Sequence, residues 1–170
     1  SVVVLVPAFD EAAGIVQTVR SLVRSDRDGV SVVVIDDGST DGTAELVEAR
    51  GEPGVRLVRR PNGGKAAALA TGLAVTDEEI VVTVDGDTVF EPATIGHLVA
   101  PFADPRTGAV SGNTKVGNRR RLLGRWQHLE YVVGFNLDRR VYEELDCMPT
   151  VPGAVGAFRR AALDQVGGFP

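Results

Sequence analysis

The chain has 170 residues, 44% hydrophobic and 24% charged, a globular balance that excludes disorder and fibrous architectures and suits one domain with a substantial core. A formal net charge of -5 argues against nucleic acid as the main partner, although sixteen Arg against two Lys leaves room for local basic patches. No apolar run approaches the ~20 residues that cross a bilayer and no charged-then-apolar leader opens the chain, so the piece reads as soluble.

Val2 to Val6 is a β-branched run closed by Pro7, the pattern of a strand buried on both faces. From Glu11 the period changes to helical, with Ile15, Val19, Leu22 and Val23 on one face and Asp10 placed as the N-cap. Ser31 to Ile35 is a second buried strand. It runs into Asp36-Asp37-Gly38-Ser39-Thr40-Asp41-Gly42, and a short helix bearing Ala44, Leu46 and Val47 follows, capped by Asp37, Ser39 or Asp41. Val55 to Val58 forms a third strand, Arg59 to Gly64 a turn, and Lys65 to Val75 an Ala- and Leu-rich helix. Ile80 to Val84 is the fourth strand and leads into Asp85-Gly86-Asp87. A helix near Ala93 to Ala100 and a strand at Ala109 to Ser111 come next. Between Asn118 and Leu145, Leu122, Trp126, Leu129, Val133, Leu137 and Val141 make an apolar stripe at helical spacing. Such a stripe packs on a sheet or meets a membrane surface or partner. Cys147 stands alone, so no internal disulfide forms, as in a reducing compartment.

Four alternations of strand and helix predict an α/β domain, a mostly parallel sheet with right-handed crossovers and helices on both faces. Asp10, Asp36-Asp37 and Asp85-Asp87 then all follow the carboxyl ends of strands, the edge at which open α/β sheets bind ligands. Two carboxylates flanking Gly86 repel each other unless a cation sits between them, and Mg²⁺ or Mn²⁺ with oxygen ligands is the natural occupant; the alternative is a solvated turn with two capping acids. An ionised Asp37 accepts hydrogen bonds from a base imide or a ribose hydroxyl. Gly63-Gly64-Lys65 is not a nucleotide-triphosphatase loop, because Ala66 stands where Ser or Thr is required, but it sets a lysine and backbone amides at a helix start, where a diphosphate can bind.

Two other enzyme classes compete. Asp85-Gly86-Asp87-Thr88-Val89 fits the haloacid-dehalogenase-like phosphatase pattern, yet that motif ends the first strand of its domain and here it ends the fourth. A Rossmann dehydrogenase is a weaker reading still, because no Gly-x-Gly-x-x-Gly follows the first strand. His97 and His128 lie near no Ser or Cys nucleophile pattern and read as ordinary helix residues.

Taken together, Val4-Leu5-Val6-Pro7-Ala8-Phe9-Asp10-Glu11, Val34-Ile35-Asp36-Asp37-Gly38-Ser39-Thr40-Asp41, Asn62-Gly63-Gly64-Lys65 and Asp85-Gly86-Asp87 resemble, in order and spacing, the inverting family 2 glycosyltransferases of GT-A fold. Gln127 to Tyr131, Asn136 to Arg140, Pro152 to Ala154 and Gly156 to Arg160 are similar to the processive branch, with bacterial poly-N-acetylglucosamine, chitin-oligosaccharide and hyaluronan synthases as the model. The resemblance implies a donor-binding part at residues 1–112 and a partial acceptor-side region at 113–170, within one truncated catalytic domain. It implies that Pro7, Ala8, Asp10, Glu11, Asp37, Lys65, Asp85 and Gly86 bind a UDP-sugar, that Asp85 and Asp87 hold Mg²⁺ or Mn²⁺, and that Gly153 and Ala154 face a polysaccharide or oligosaccharide acceptor. Asp10 departs from the Asn often found there. The implied reaction is inverting transfer of N-acetylglucosamine at the cytoplasmic face of a membrane reached through flanking segments, with no nucleic acid involved. The general base is expected beyond Pro170, along with a Gln-x-x-Arg-Trp motif; Arg125-Trp126 is not that motif, since Leu122 replaces its Gln. A non-catalytic sugar-nucleotide-binding module is the remaining alternative.

Overall fold

A computed structural model describes residues 1–112 and 155–169. Both stretches belong to one compact unit. The apolar stripe at 122–141, His128, Cys147, Gly153 and Ala154 lie outside the described residues, so the expectations placed on them are not addressed by the structure.

The chain order is β1 (Val2–Ala8), α1 (Ile15–Val23), β2 (Val30–Asp36), α2 (Thr43–Arg50), β3 (Val55–Arg59), α3 (Lys65–Ala74), β4 (Ile80–Val84) and α4 (Thr94–Val99). A 3-10 turn (Ala100–Ala103), β5 (Ala109–Ser111), β6 (Val155–Arg159) and α5 (Arg160–Val166) complete the described elements. The strands form one six-stranded sheet in the order β3-β2-β1-β4-β6-β5. The first four are mutually parallel, whereas β6 runs antiparallel to both β4 and β5. Successive crossovers travel outward from β1 to β2 and β3, and the chain then returns to place β4 on the other side of β1. That reversal opens a crevice at the carboxyl ends of β1 and β4.

Strand alternation sends the two faces of β1 into two cores. Val2, Val4 and Val6 pack with Ile15, Val19 and Leu22 of α1, Val47 of α2, and Ile95, Leu98 and Val99 of α4. Val3 and Leu5 pack with Val33, Ile35 and Val81 against Ala68 and Leu69 of α3 and Leu163 of α5. Leu5, Ile15, Leu22, Ile35 and Ile95 are each under 2% exposed, and each such side chain contributes about 1.5–3 kcal/mol by leaving water. Gly72 lets α3 lie close on the sheet, since a Cβ there would stand 2.9 Å from Ile35 Cδ1 and make that side chain shift.

The expected α/β architecture is therefore present, and β6 and α5 add to it. Two arginines fasten this addition. Arg159 donates to the carbonyls of Phe102, Asp104 and Thr107 at 2.9, 3.1 and 3.1 Å. Arg160 reaches the carbonyls of Glu78 and Leu73 at 2.8 and 3.2 Å and Thr76 Oγ1 at 2.9 Å. One local expectation fails. Asp10 does not cap α1, which begins at Ile15 with Gly14 at its N-cap; residues between form a turn in which Gly14 and Ile15 both donate to the Glu11 carbonyl.

Candidate functional site

The loop leaving β1 is fastened residue by residue to the loop leaving β2. Asp10 takes a left-handed φ of 54°, rare for a residue with a side chain, and its Oδ1 accepts from the Thr40 amide at 2.8 Å. Its own amide donates to Ser39 Oγ at 3.0 Å. Glu11 N donates to Thr43 Oγ1 at 2.9 Å and Ala12 N to Asp41 Oδ2 at 2.9 Å. The N-cap of α2 is Gly42, with no side-chain cap bond, so none of Asp37, Ser39 and Asp41 is its cap, although Asp41, one residue before it, accepts from the Thr43 amide at 3.0 Å. The Thr43 hydroxyl, ahead of the amide of Ala12, holds the Asp41 carboxyl below its ordinary range.

This fastening sets Glu11 against the turn after β4. A Cβ on Gly86 would lie 3.0 Å from Glu11 Cγ, so the glycine is what lets the two loops touch. Burial first, then the charges of Asp87, Asp85 and Asp41, push the Glu11 carboxyl above its usual value. Glu11, Asp85 and Asp87 thus crowd one corner, with Asp41 adding its charge. Lys65, at the start of α3, answers part of that charge through an ion pair from Nζ to Asp85 Oδ1, with side chains 46% and 34% exposed.

Asp37 has a different setting from the one its sequence position suggests. It is 3% exposed and forms an ion pair with Arg60. Its Oδ2 accepts from the amides of Gly64 at 2.7 Å and Gly63 at 3.2 Å, the latter shared with Oδ1. The amides expected to greet a diphosphate are therefore already held by this carboxylate. Gly38 completes the junction: its φ is +80°, and a Cβ would stand 2.8 Å from Asn62 N.

These loops enclose a cleft of about 370 Å³. Pro7, Ala8 and Glu11 line it from β1, Asp37 from β2, Lys65 from α3, and Asp85, Gly86 and Asp87 from β4. Among the described residues, Asp10 is the one suggested by the resemblance that does not line the cleft; its carboxylate is turned to Thr40. Gly64, from the glycine turn, lines it too, and Phe9, Asn62 and Ala68 do so without having been given a binding role. Phe9 is half exposed, and a large aromatic at a strand exit, between two motif residues, was the signal available for it.

Among the described residues no group of three metal-ligating side chains is assembled. Asp85 and Asp87 nonetheless fit Mg²⁺ or Mn²⁺ in the mode where one or two carboxylates share the ion with substrate phosphates, and the Glu11 carboxyl, raised first by burial and then by their charges, lies beside them.

The mostly parallel sheet with an acid-rich cleft at its reversal point superposes on solved glycosyltransferases of GT-A fold. The mannosyltransferase PcManGT from Pyrobaculum calidifontis, in complex with GDP-Man and Mn²⁺, gives a TM-score of 0.75 at 33% identity, over 99% of this chain and 47% of that one. Glucosyl-3-phosphoglycerate synthase from Mycobacterium tuberculosis, in complex with Mn²⁺, UDP and phosphoglyceric acid, gives 0.66 at 28%, over 95% and 56%. The chain belongs to Glycosyl transferase family 2, whose profile matches residues 3–167. It is 29% identical over 166 residues to the poly-beta-1,6-N-acetyl-D-glucosamine synthase of Staphylococcus epidermidis, covering 96% of this chain and 40% of that protein. The chain thus spans about two fifths of the curated relatives it matches. Family membership displaces the phosphatase reading of Asp85 and Asp87. Among the described residues no helix is long and apolar enough to cross a membrane.

Proposed function

We propose that this chain is the donor-binding part of a metal-dependent glycosyltransferase that takes a UDP-sugar and passes the sugar, N-acetylglucosamine, to a growing polysaccharide with inversion at the anomeric carbon. The observation that carries the reading is the convergence of Lys65, Asp85 and Asp87 with Glu11 and Asp37 on one cleft at the sheet reversal. Phe9 offers an aromatic face for a base, and Lys65 a charge for the diphosphate. Asp85 and Asp87 would hold Mg²⁺ or Mn²⁺, which when bound supplies positive charge to the leaving diphosphate. Asp37 orders the Gly63-Gly64 turn at the cleft wall, beside the place proposed for the nucleoside. Residues 1–112 form the donor side and 113–170 contribute to the acceptor side, with Gly153 and Ala154 there. The proton acceptor for the incoming hydroxyl is assigned to none of the described residues, and association with a membrane is proposed from the synthases the chain resembles.

Support for uridine comes from the UDP bound by the 28%-identical synthase, and support for N-acetylglucosamine from the polymer named for the staphylococcal relatives. One observation favours a second nucleotide: the 33%-identical mannosyltransferase binds GDP-Man. Calorimetric titration of UDP and GDP, each with and without Mn²⁺, separates the two. Metal-enhanced UDP binding is expected. A preference for GDP replaces uridine with guanosine, and binding that ignores the metal, or no binding by a folded sample, refutes the donor-site reading.

A further inference from the structure

We propose that Thr18 and Ser21 of α1 are positioning residues that fix the Asp85-Gly86-Asp87 turn in its metal-binding shape, an inference that rests on the donor-site reading above. Neither touches the cleft. Both are buried, Thr18 at 0% and Ser21 at 8% exposure, on one face of α1 three residues apart. Thr18 Oγ1 donates to the Gly86 carbonyl at 2.8 Å, a buried bond between residues 68 positions apart. Ser21 Oγ donates to the Thr18 carbonyl at 2.7 Å and accepts from the Phe90 amide at 3.0 Å.

The turn is thereby pinned at two points that bracket Asp87. Between them it is closed by the Thr88 amide donating to the Asp85 carbonyl at 3.1 Å. Gly14 presses on the same turn from the helix start: a Cβ there would stand 3.3 Å from Asp87 Cα and 3.4 Å from the Gly86 carbonyl oxygen. A carboxylate pair that shares an octahedral ion with phosphate tolerates little error in direction, because that ion demands near-ideal geometry. The mutual repulsion of Glu11, Asp85 and Asp87 would spread a loose turn before the ion arrives. A backbone held from α1 resists that spreading from a helix that does not line the cleft. The geometry is also specific about atoms. The hydroxyl proton of Thr18 serves the Gly86 carbonyl, so Val fills its space but cannot hold the turn, whereas Ser can.

The test is calorimetry on this chain, wild type against Thr18→Val and Thr18→Ser, with Mn²⁺ titrated in the presence of saturating UDP and UDP titrated without metal. Thr18→Val is expected to raise the Mn²⁺ dissociation constant about tenfold while metal-free UDP affinity changes less than twofold, and Thr18→Ser to restore the metal affinity to within about threefold. A folded Thr18→Val with unchanged Mn²⁺ affinity overturns the positioning role and leaves the donor site standing. Equal losses in Mn²⁺ and UDP affinity, or no rescue by Ser, reduce the hydroxyl to general support of the fold and overturn it too. Absence of Mn²⁺-dependent UDP binding in the wild type overturns the donor reading itself and the role with it. Should Thr18→Val fail to fold, Ser21→Ala, which frees the Phe90 amide, carries the same expectation at about threefold.

Discussion

Lys65→Met separates a ligand-binding lysine from a structural one. Its ion pair with Asp85 is half exposed on one side and a third exposed on the other, so solvent screening limits its worth to about 0–1 kcal/mol. For a chain of this size that is a shift of no more than about 4 °C in melting temperature. A lysine that donates to a diphosphate makes a charge-assisted hydrogen bond worth about 1.5–3 kcal/mol, so its loss weakens UDP binding roughly tenfold to a hundredfold. The metal responds differently. In the nucleotide-free protein the substitution releases Asp85 from its cation, so Mn²⁺ affinity measured without UDP is expected to hold or rise. Calorimetry with each ligand alone and together, alongside thermal denaturation, reads all three quantities. Unchanged UDP affinity would refute the assignment of Lys65 to the donor, and a melting loss well beyond 4 °C would show that the pair is chiefly structural.

Asp37→Asn should cost about 3 kcal/mol or more, because it leaves the Arg60 guanidinium without its charge partner at a largely buried site; chemical denaturation checks the value. The same change loosens the Gly63-Gly64 turn, so faster amide hydrogen exchange is expected at those two residues, and unchanged exchange would argue against Asp37 as their anchor. Thr43→Val removes both the acceptor of the Glu11 amide and the donor that lowers the Asp41 carboxyl. Since a lowered carboxyl contributes stability above its unfolded pKa and loses it as pH falls through the folded one, the variant should titrate Asp41 nearer its ordinary value by NMR and lose less stability on acidification. A stationary Asp41 resonance would contradict the assigned cause.

The four parallel strands were legible because runs such as Val2 to Val6 and Ile80 to Val84 are long, β-branched and bounded by turn residues, which leaves buried strand as the only comfortable state. The acids at their ends were legible with them, since strand direction alone puts every such residue on one edge. What could not be read depended on partners distant in sequence. Asp10 has the residue type and position of an N-cap, but the Thr40 amide, thirty residues away, competes successfully for its carboxylate. Asp37 has the acceptor chemistry of a nucleoside ligand, and Arg60 together with two glycine amides takes up most of it. Strand β6 escaped notice because Val155-Gly156-Ala157-Phe158-Arg159 is short and interrupted by glycine, and its antiparallel partners β4 and β5 lie far away in sequence.

The doublet Asp36-Asp37 shows how the sheet decides which acid does chemistry. Side chains on a strand alternate between faces, so Asp36, the last residue of β2, follows Val32 and Val34 toward the face covered by α1 and α2. It is 4% exposed, and its Oδ1 has no hydrogen-bond partner among the described residues. Asp37, one residue past the strand, falls on the opposite side and meets the cleft wall. The pair after β4 escapes this division. Gly86 lies between its acids and carries no side chain, so Asp85 and Asp87 are spaced by two and both reach the same cleft. Identical neighbours in one motif are thus separated by the pleat, and a one-residue spacer in the other brings its acids together where a shared cation can bind.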